Sequence, residues 1–258
     1  MLEELSAKVR SGEINPVDLV NESLRRIEEA SPLNAVVATY ADEARSLAES
    51  HPRTGALAGL PFLVKDMARV KGHVTTSGSA IYANGPADEV DDSVVSRLRE
   101  AGAIIIGRTN SPEFGATAFT SNKVYGATRN PWNTEKSPGG SSGGSAAALA
   151  AALTPIATTS DGGGSVRGPA SSSGLVGYKP SMGAIGRNVL PRWIDFSTQG
   201  TSGHSVADVA YEAAITHGPA NGDFLGLPAK SIALNSVMPR RVLACRTFRT
   251  DVDPDVVT

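Results

Sequence analysis

A single cysteine, Cys245, excludes an internal disulfide and a thiolate zinc cluster, and it fits a reducing compartment. At the end of Arg241-Val242-Leu243-Ala244-Cys245 its simplest role is that of a small buried apolar side chain. Charge of one sign is missing too. The 24 basic and 26 acidic side chains leave a formal net charge of −2, and no Lys/Arg run stands out. Nucleic acid and anionic membrane surfaces therefore have no electrostatic footprint here, and small-molecule chemistry is the expectation. No uninterrupted apolar stretch approaches the ~18 residues of a membrane span. The opening Met1-Leu2-Glu3-Glu4-Leu5 has no basic segment leading into an apolar one, so a cytoplasmic location is expected. Set against these absences, 258 residues with 40% hydrophobic side chains can build a packed core, as one large domain or two small ones.

Helix-like and strand-like segments alternate without an internal repeat. Residues 2–10 have helical spacing. Asn15-Pro16 reads as an N-cap with proline at the first helical position, opening a helix through Val17, Leu19, Val20 and Leu24. A third helix is expected over 41–50. Leu60-Pro61-Phe62-Leu63-Val64 is a short apolar strand that delivers Lys65 at its end. Residues 92–101 read as a helix stopped by Gly102, and Ala103-Ile104-Ile105-Ile106-Gly107 as a buried strand. An alanine-rich helix over 145–153, strands over 155–159 and 175–178, a helix over 205–216 and a last strand over 242–244 complete the order. The order implies an α/β layered fold, with 1–56 as an N-terminal helical segment packed on a core formed by 57–258.

The chemistry concentrates in two glycine–serine clusters. The first is Gly139-Gly140-Ser141-Ser142-Gly143-Gly144-Ser145. The second, Asp161-Gly162-Gly163-Gly164-Ser165-Val166-Arg167, puts Ser165 24 residues beyond Ser141. Such runs are commonly linkers, but a short run leading into a helix and echoed across a helix–strand pair is not linker-like. Successive backbone N–H groups in such a turn can hold a phosphate or an oxyanion. Neither GxxxxGK[ST] nor a strand-borne GxGxxG occurs, which argues against nucleotides. Gly139-x-Ser141-x-Gly143 has the spacing of a nucleophile elbow, and of the four histidines (His51, His73, His204, His217) the last two lie downstream. The preceding Asn133-Thr134-Glu135-Lys136-Ser137-Pro138 is loop, however, where the elbow demands a strand. With Lys65 as base, the two serines can instead supply a nucleophile and a proton relay without histidine.

Four segments carry a more specific signal: Gly59-Leu60-Pro61-Phe62-Leu63-Val64-Lys65-Asp66, Thr109-Asn110-Ser111-Pro112-Glu113-Phe114, residues 129–145 and residues 160–180. Together they resemble the amidase signature family of serine amidohydrolases, and the resemblance covers about 57–208. It implies a central mixed β-sheet covered by helices on both faces. It also implies a triad of Ser165 as acyl-accepting nucleophile, Ser141 as relay after a cis Gly140–Ser141 peptide bond, and Lys65 as base. A serine hydroxyl needs an adjacent base to attack an amide, and a lysine serves only if burial keeps it neutral, so Lys65 should have a lowered pKa. The amides of Gly162, Gly163, Gly164 and Ser165 would form the oxyanion hole. Around them, Asp161 and Arg167 should pair to fix the nucleophile loop, and Ser142 and Thr159 should hydrogen-bond nearby backbone. Asp66 either orients the lysine or caps a turn.

The resemblance also has gaps. Where many members carry arginine before a Val-x-Asp helix, this chain has His204 in Gly203-His204-Ser205-Val206-Ala207-Asp208. Residues 188–196, with Trp193, match nothing in the family pattern and are read either as pocket lining or as core. Members usually continue well beyond the equivalent of Thr258, so a C-terminal segment is expected to be missing, or to be supplied by another chain such as the second copy of a homodimer. The implied function is cleavage of the carbon–nitrogen bond of a small-molecule amide, or of a related carbamate or ester, without metal or organic cofactor. Two alternatives stand beside it: the A-type subunit of a glutamine-dependent amidotransferase, and a catalytically silent scaffold that retains the motif.

Overall fold

The computed structural model describes residues 1–188, 196–229 and 232. Helix α1 (Leu2–Ser11) stops where Gly12 turns left-handed, and α2 (Pro16–Glu29) starts where Asn15 Oδ1 accepts the Val17 N–H at 3.1 Å. Strand β1 (Val36–Thr39), helix α3 (Ala41–Glu49), β2 (Pro61–Lys65), α4 (Ser93–Glu100) and β3 (Ile104–Thr109) follow. After the short hairpin of β4 (Ser121–Asn122) and β5 (Gly126–Ala127) come α5 (Gly143–Ala150), β6 (Ile156–Ala157), β7 (Thr159–Asp161), α6 (Arg167–Ser172), β8 (Val176–Tyr178), β9 (Thr198–Gly203) and α7 (Val206–Thr216).

The main sheet has the order β1-β3-β2-β6. It is mixed: β2 runs parallel to β3 and β6, whereas β1 is antiparallel to β3. Between β6 and β7 the Thr158 N–H donates to Leu63 O at 3.0 Å, so the chain passes directly from the main sheet into an antiparallel sheet of order β7-β9-β8. Side-chain alternation along β2 and β3 feeds two apolar layers. Phe62, Val64 and Ile105 pack with Leu2 and Val9 of α1 and Val94, Val95 and Leu98 of α4, and Tyr211 and Ile215 of α7 lie against the same layer. Leu63, Ile104 and Ile106 pack on the other side with Val20 and Leu24 of α2, Ala44 and Ala48 of α3, and Ala147 to Leu149 of α5. Each fully buried large side chain contributes roughly 1.5–3 kcal/mol. The fold is the α/β arrangement expected, with helices on both faces of a mixed sheet.

Residues 1–56 are more than a helical layer, because β1 lies within them and forms one edge of the main sheet. The strand expected over 242–244, Cys245 and Trp193 lie outside the described residues. Of the unassigned 188–196 stretch, Asn188 stitches the start of α4, accepting the Ser93 N–H and donating to Asp91 O, each at 2.8 Å, and Phe196 is exposed. No helix among the described residues is long and apolar enough to cross a membrane.

Candidate active site

The parallel strands converge on Lys65, the last residue of β2, which is only 1% exposed. Its N–H donates to Thr158 Oγ1 at 2.9 Å, which ties the strand end to the β6–β7 junction. Its Nζ reaches three hydroxyls: Ser141 Oγ at 2.7 Å, Ser142 Oγ at 2.9 Å and Ser160 Oγ at 3.0 Å. No carboxylate among the described residues hydrogen-bonds the amine. Burial therefore dominates, and pushes the ammonium down from its ordinary 10.5 to about 7, against an opposing pull from the Asp161 carboxylate.

Ser141 follows a cis Gly140–Ser141 peptide bond. The segment fits only because its neighbours lack side chains. A Cβ at Gly140 would sit 2.7 Å from Phe119 N and Thr117 O, and one at Gly144, in the first turn of α5, would sit 2.4 Å from Asn110 N and O. Alanine then fills α5, because the helix is buried along nearly all its length.

Ser165 sits in the turn between β7 and α6, on the same cavity as Lys65, Ser141 and Ser160. The cavity holds about 590 Å³, within the range of small-molecule sites. The two serine loops are joined by the Ser142 N–H, which donates to Ser165 O at 3.3 Å. Asp161 organises the turn that carries Ser165. Its Oδ1 accepts the Gly164 N–H at 2.6 Å, its Oδ2 accepts the Val166 N–H at 3.1 Å, and Arg167 grips both oxygens at 3.0 and 3.1 Å. Burial alone would raise the Asp161 carboxyl, but Arg167 and these amides outweigh it and hold the group at about 2.

Against the sequence reading, Lys65, Ser141 and Ser165 share one cavity, and Asp161 pairs with Arg167. Ser142 Oγ donates to Ser160 O at 3.2 Å, and Thr159 Oγ1 donates to Gly200 O at 2.8 Å. One expectation changes and one open alternative closes. The Gly164 N–H is bound to Asp161 and so is not offered to a ligand; Gly162, Gly163 and Ser165 line the cavity with amides that have no such acceptor among the described residues. Asp66 does not orient the lysine. It accepts from the Thr76 and Gly78 amides and the Thr76 hydroxyl, and lies 3.7 Å from the Arg108 guanidinium, so it braces the turn after β2. Ser160 is a site residue that the motifs do not single out, although strand alternation marks it: in β7, Thr159 and Asp161 are buried and Ser160 turns toward the cavity.

Fold and cluster together define an α/β protein in which a buried lysine faces a serine on a cis peptide bond. The chain belongs to the Amidase family, whose pattern matches residues 18–236. It is similar to an acylamidase from Rhodococcus erythropolis, 39% identical over 233 residues that make up 87% of this chain and 49% of the relative. It is equally similar to a glutamyl-tRNA(Gln) amidotransferase subunit from Thermobifida fusca, 39% identical over 96% of this chain and 50% of that protein. Among solved structures, a 6-aminohexanoate cyclic dimer hydrolase complexed with substrate superposes with a TM-score of 0.84 at 36% identity, covering 90% of this chain and 49% of the other. The chain thus spans about half the length of the curated relatives it matches.

Proposed function

We propose that the protein is an amidohydrolase that cleaves the carbon–nitrogen bond of an amide, or of a related carbamate or ester, through an acyl-enzyme on Ser165. One observation carries the reading: a fully buried lysine with no carboxylate partner among the described residues hydrogen-bonds Ser141 at 2.7 Å on the cavity that holds Ser165.

The direction of the contact with Ser142 follows by elimination. Ser142 donates its proton to Ser160 O and accepts the Ser160 N–H, so toward Lys65 it must accept. A neutral amine has two N–H bonds and one lone pair. We place the second N–H on Ser160, which leaves the lone pair facing Ser141. Ser141 can then give its proton to Lys65 while taking one from Ser165, whose oxygen attacks the carbonyl carbon. The amides of Gly162, Gly163 and Ser165 are the donors available to the developing oxyanion. Collapse returns a proton from Ser141 to the leaving nitrogen, Lys65 restores Ser141, and water repeats the sequence to release the acid.

A second reading has the T. fusca relative behind it: an amidotransferase component that uses the same acylation to take ammonia from glutamine. It predicts glutaminase activity that rises when partner proteins are added, whereas an independent hydrolase needs none. Under either reading we infer that a further segment, from this polypeptide or from a second copy, completes the substrate pocket.

The test is Lys65→Ala in the full-length protein. Acylation should fall by at least ~10³-fold, the scale set by losing a member of such a unit, with the fold intact by circular dichroism. Retained turnover would remove the lysine from the mechanism.

A further inference from the structure

We propose that Arg108 is a positioning residue: its guanidinium holds the cavity wall formed by residues 66–92, and so sets how tightly substrate binds without touching substrate itself. This rests on the reading above, that the cavity beside Ser165 takes the substrate.

The wall needs a brace from outside. Residues 66–92 run from β2 to α4 with no helix or strand of their own, apart from an isolated bridge between Lys71 and Asp88. Stretches longer than about 12–15 residues without such structure are uncommon in a compact fold, and side chains must hold the backbone that no ladder pairs. Met67, Ala68, Val74, Thr75, Tyr82 and Asp88 of this stretch line the cavity. Arg108, only 2% exposed, is not part of that lining.

Strand β3 delivers the brace, with Arg108 opposite Val64 and Thr109 opposite Lys65. The guanidinium reaches the stretch near its start, middle and end. Nη1 donates to Ala68 O at 2.9 Å and lies 3.7 Å from Asp66. Nη2 donates to Thr75 Oγ1 at 2.8 Å and lies 3.7 Å from Asp88, which also accepts the Thr75 hydroxyl at 2.5 Å. Nε donates to Tyr40 Oη at 2.8 Å, and the Tyr40 ring stacks on His73 of the same stretch with centroids 3.6 Å apart. A lysine would keep the charge but could not span these three acceptors. Lys65 is held elsewhere, by Thr158, Ser141, Ser142 and Ser160, none of which Arg108 hydrogen-bonds. Loosening the fork should therefore move the wall and leave the activation of Ser165 in place.

Labelling of the full-length protein by O-ethyl dodecylfluorophosphonate tests the idea, resolved into an apparent dissociation constant KI and a limiting rate kinact. Arg108→Lys should raise KI by about 10-fold or more and keep kinact within about threefold of wild type, the pattern of lost uniform binding. Tyr40→Phe removes one acceptor and keeps the ring on His73. It should raise KI by about threefold or more, again without slowing kinact, the scale of one hydrogen bond. The double variant should match Arg108→Lys alone, because both changes act through one guanidinium. Should Arg108→Lys fail to fold by circular dichroism, Tyr40→Phe decides the matter. An unchanged KI in a folded Arg108→Lys or in Tyr40→Phe, a fall in kinact as large as the rise in KI, or effects that add in the double variant would overturn the proposal. The underlying reading fails separately, and takes this inference with it, if the wild-type protein is not labelled on Ser165.

Discussion

Among single residues, Lys65 carries the most testable property, its protonation. Its ammonium is disfavoured by burial, with a pKa lowered to about 7, so under the proposed mechanism the base would be competent above that value and silenced below it. Activity should therefore fall on acidification, along a limb centred near 7. Burial and the Asp161 carboxylate set that value, and the Ser160 hydroxyl is placed to bear on it. Its oxygen accepts an N–H at 3.0 Å, a bond that favours the ammonium more than the amine. Ser160→Ala should accordingly move the limb to lower pH, a direction that a merely structural role would not produce; pH profiles of kcat/KM for the two proteins decide it.

A second buried group, Glu212 in α7, is separate from the chemistry. Its Oε1 has no partner among the described residues, and burial, then the nearby Asp208, raises its carboxyl well above 4.5. A carboxyl raised on folding keeps its proton in the native state. Stability is therefore full below about 4.5 and declines as pH rises toward the folded value. Glu212→Gln should be more favourable to stability at neutral pH than at pH 4, read by denaturant unfolding at both. Equal effects at both pH values would contradict the assignment.

At the scale of the element, α5 sets the site. Its first turn presses against the backbone of Asn110, just beyond β3, and carries Ser141 and Ser142 to the lysine. Gly144→Ala should cost roughly 1–3 kcal/mol by overpacking. It should also slow labelling of Ser165, because the helix can make room only by moving away from β3. Sequence patterning finds α5 and β2, which delivers Lys65, because glycine clusters and apolar runs are local signals; it does not find α6 or most of β7, the two elements that flank Ser165. It misses β9, and the reason is physical. Thr198-Gln199-Gly200-Thr201-Ser202-Gly203 has no apolar alternation, and it is a strand because β7 and β8 offer backbone partners on both sides. Gly200 allows that approach, since a Cβ there would lie 2.6 Å from Tyr178 O. β1 escapes patterning for a similar reason: four residues between two helices become a strand by pairing with β3, some 70 residues away. The resemblance to a family supplies what patterning does not, namely which serine is expected to attack and which to relay. It does not reveal that Asp161 claims the Gly164 amide, because that depends on how the turn closes.

At the scale of the whole molecule, the chain presents Phe119, Trp132, Phe196 and Phe224 to solvent, each more than half exposed, and spans about half the length of its relatives. A polypeptide of residues 1–258 alone is expected to bind a hydrophobic dye and to sediment as more than a monomer, as exposed apolar surface would make it do. A longer protein that covers these side chains should do neither; a dye-silent monomer of 1–258 would mean that the surface is tolerated as it stands.

The central claim is that Ser165 is an activated nucleophile served by Lys65. Intact-mass spectrometry before and after a fluorophosphonate probe, with the adduct mapped by peptide analysis, tests it most directly. One adduct is expected, on Ser165, in the full-length protein, and its loss in Lys65→Ala. An unlabelled wild-type protein of full length, or a label that persists without the lysine, would contradict it.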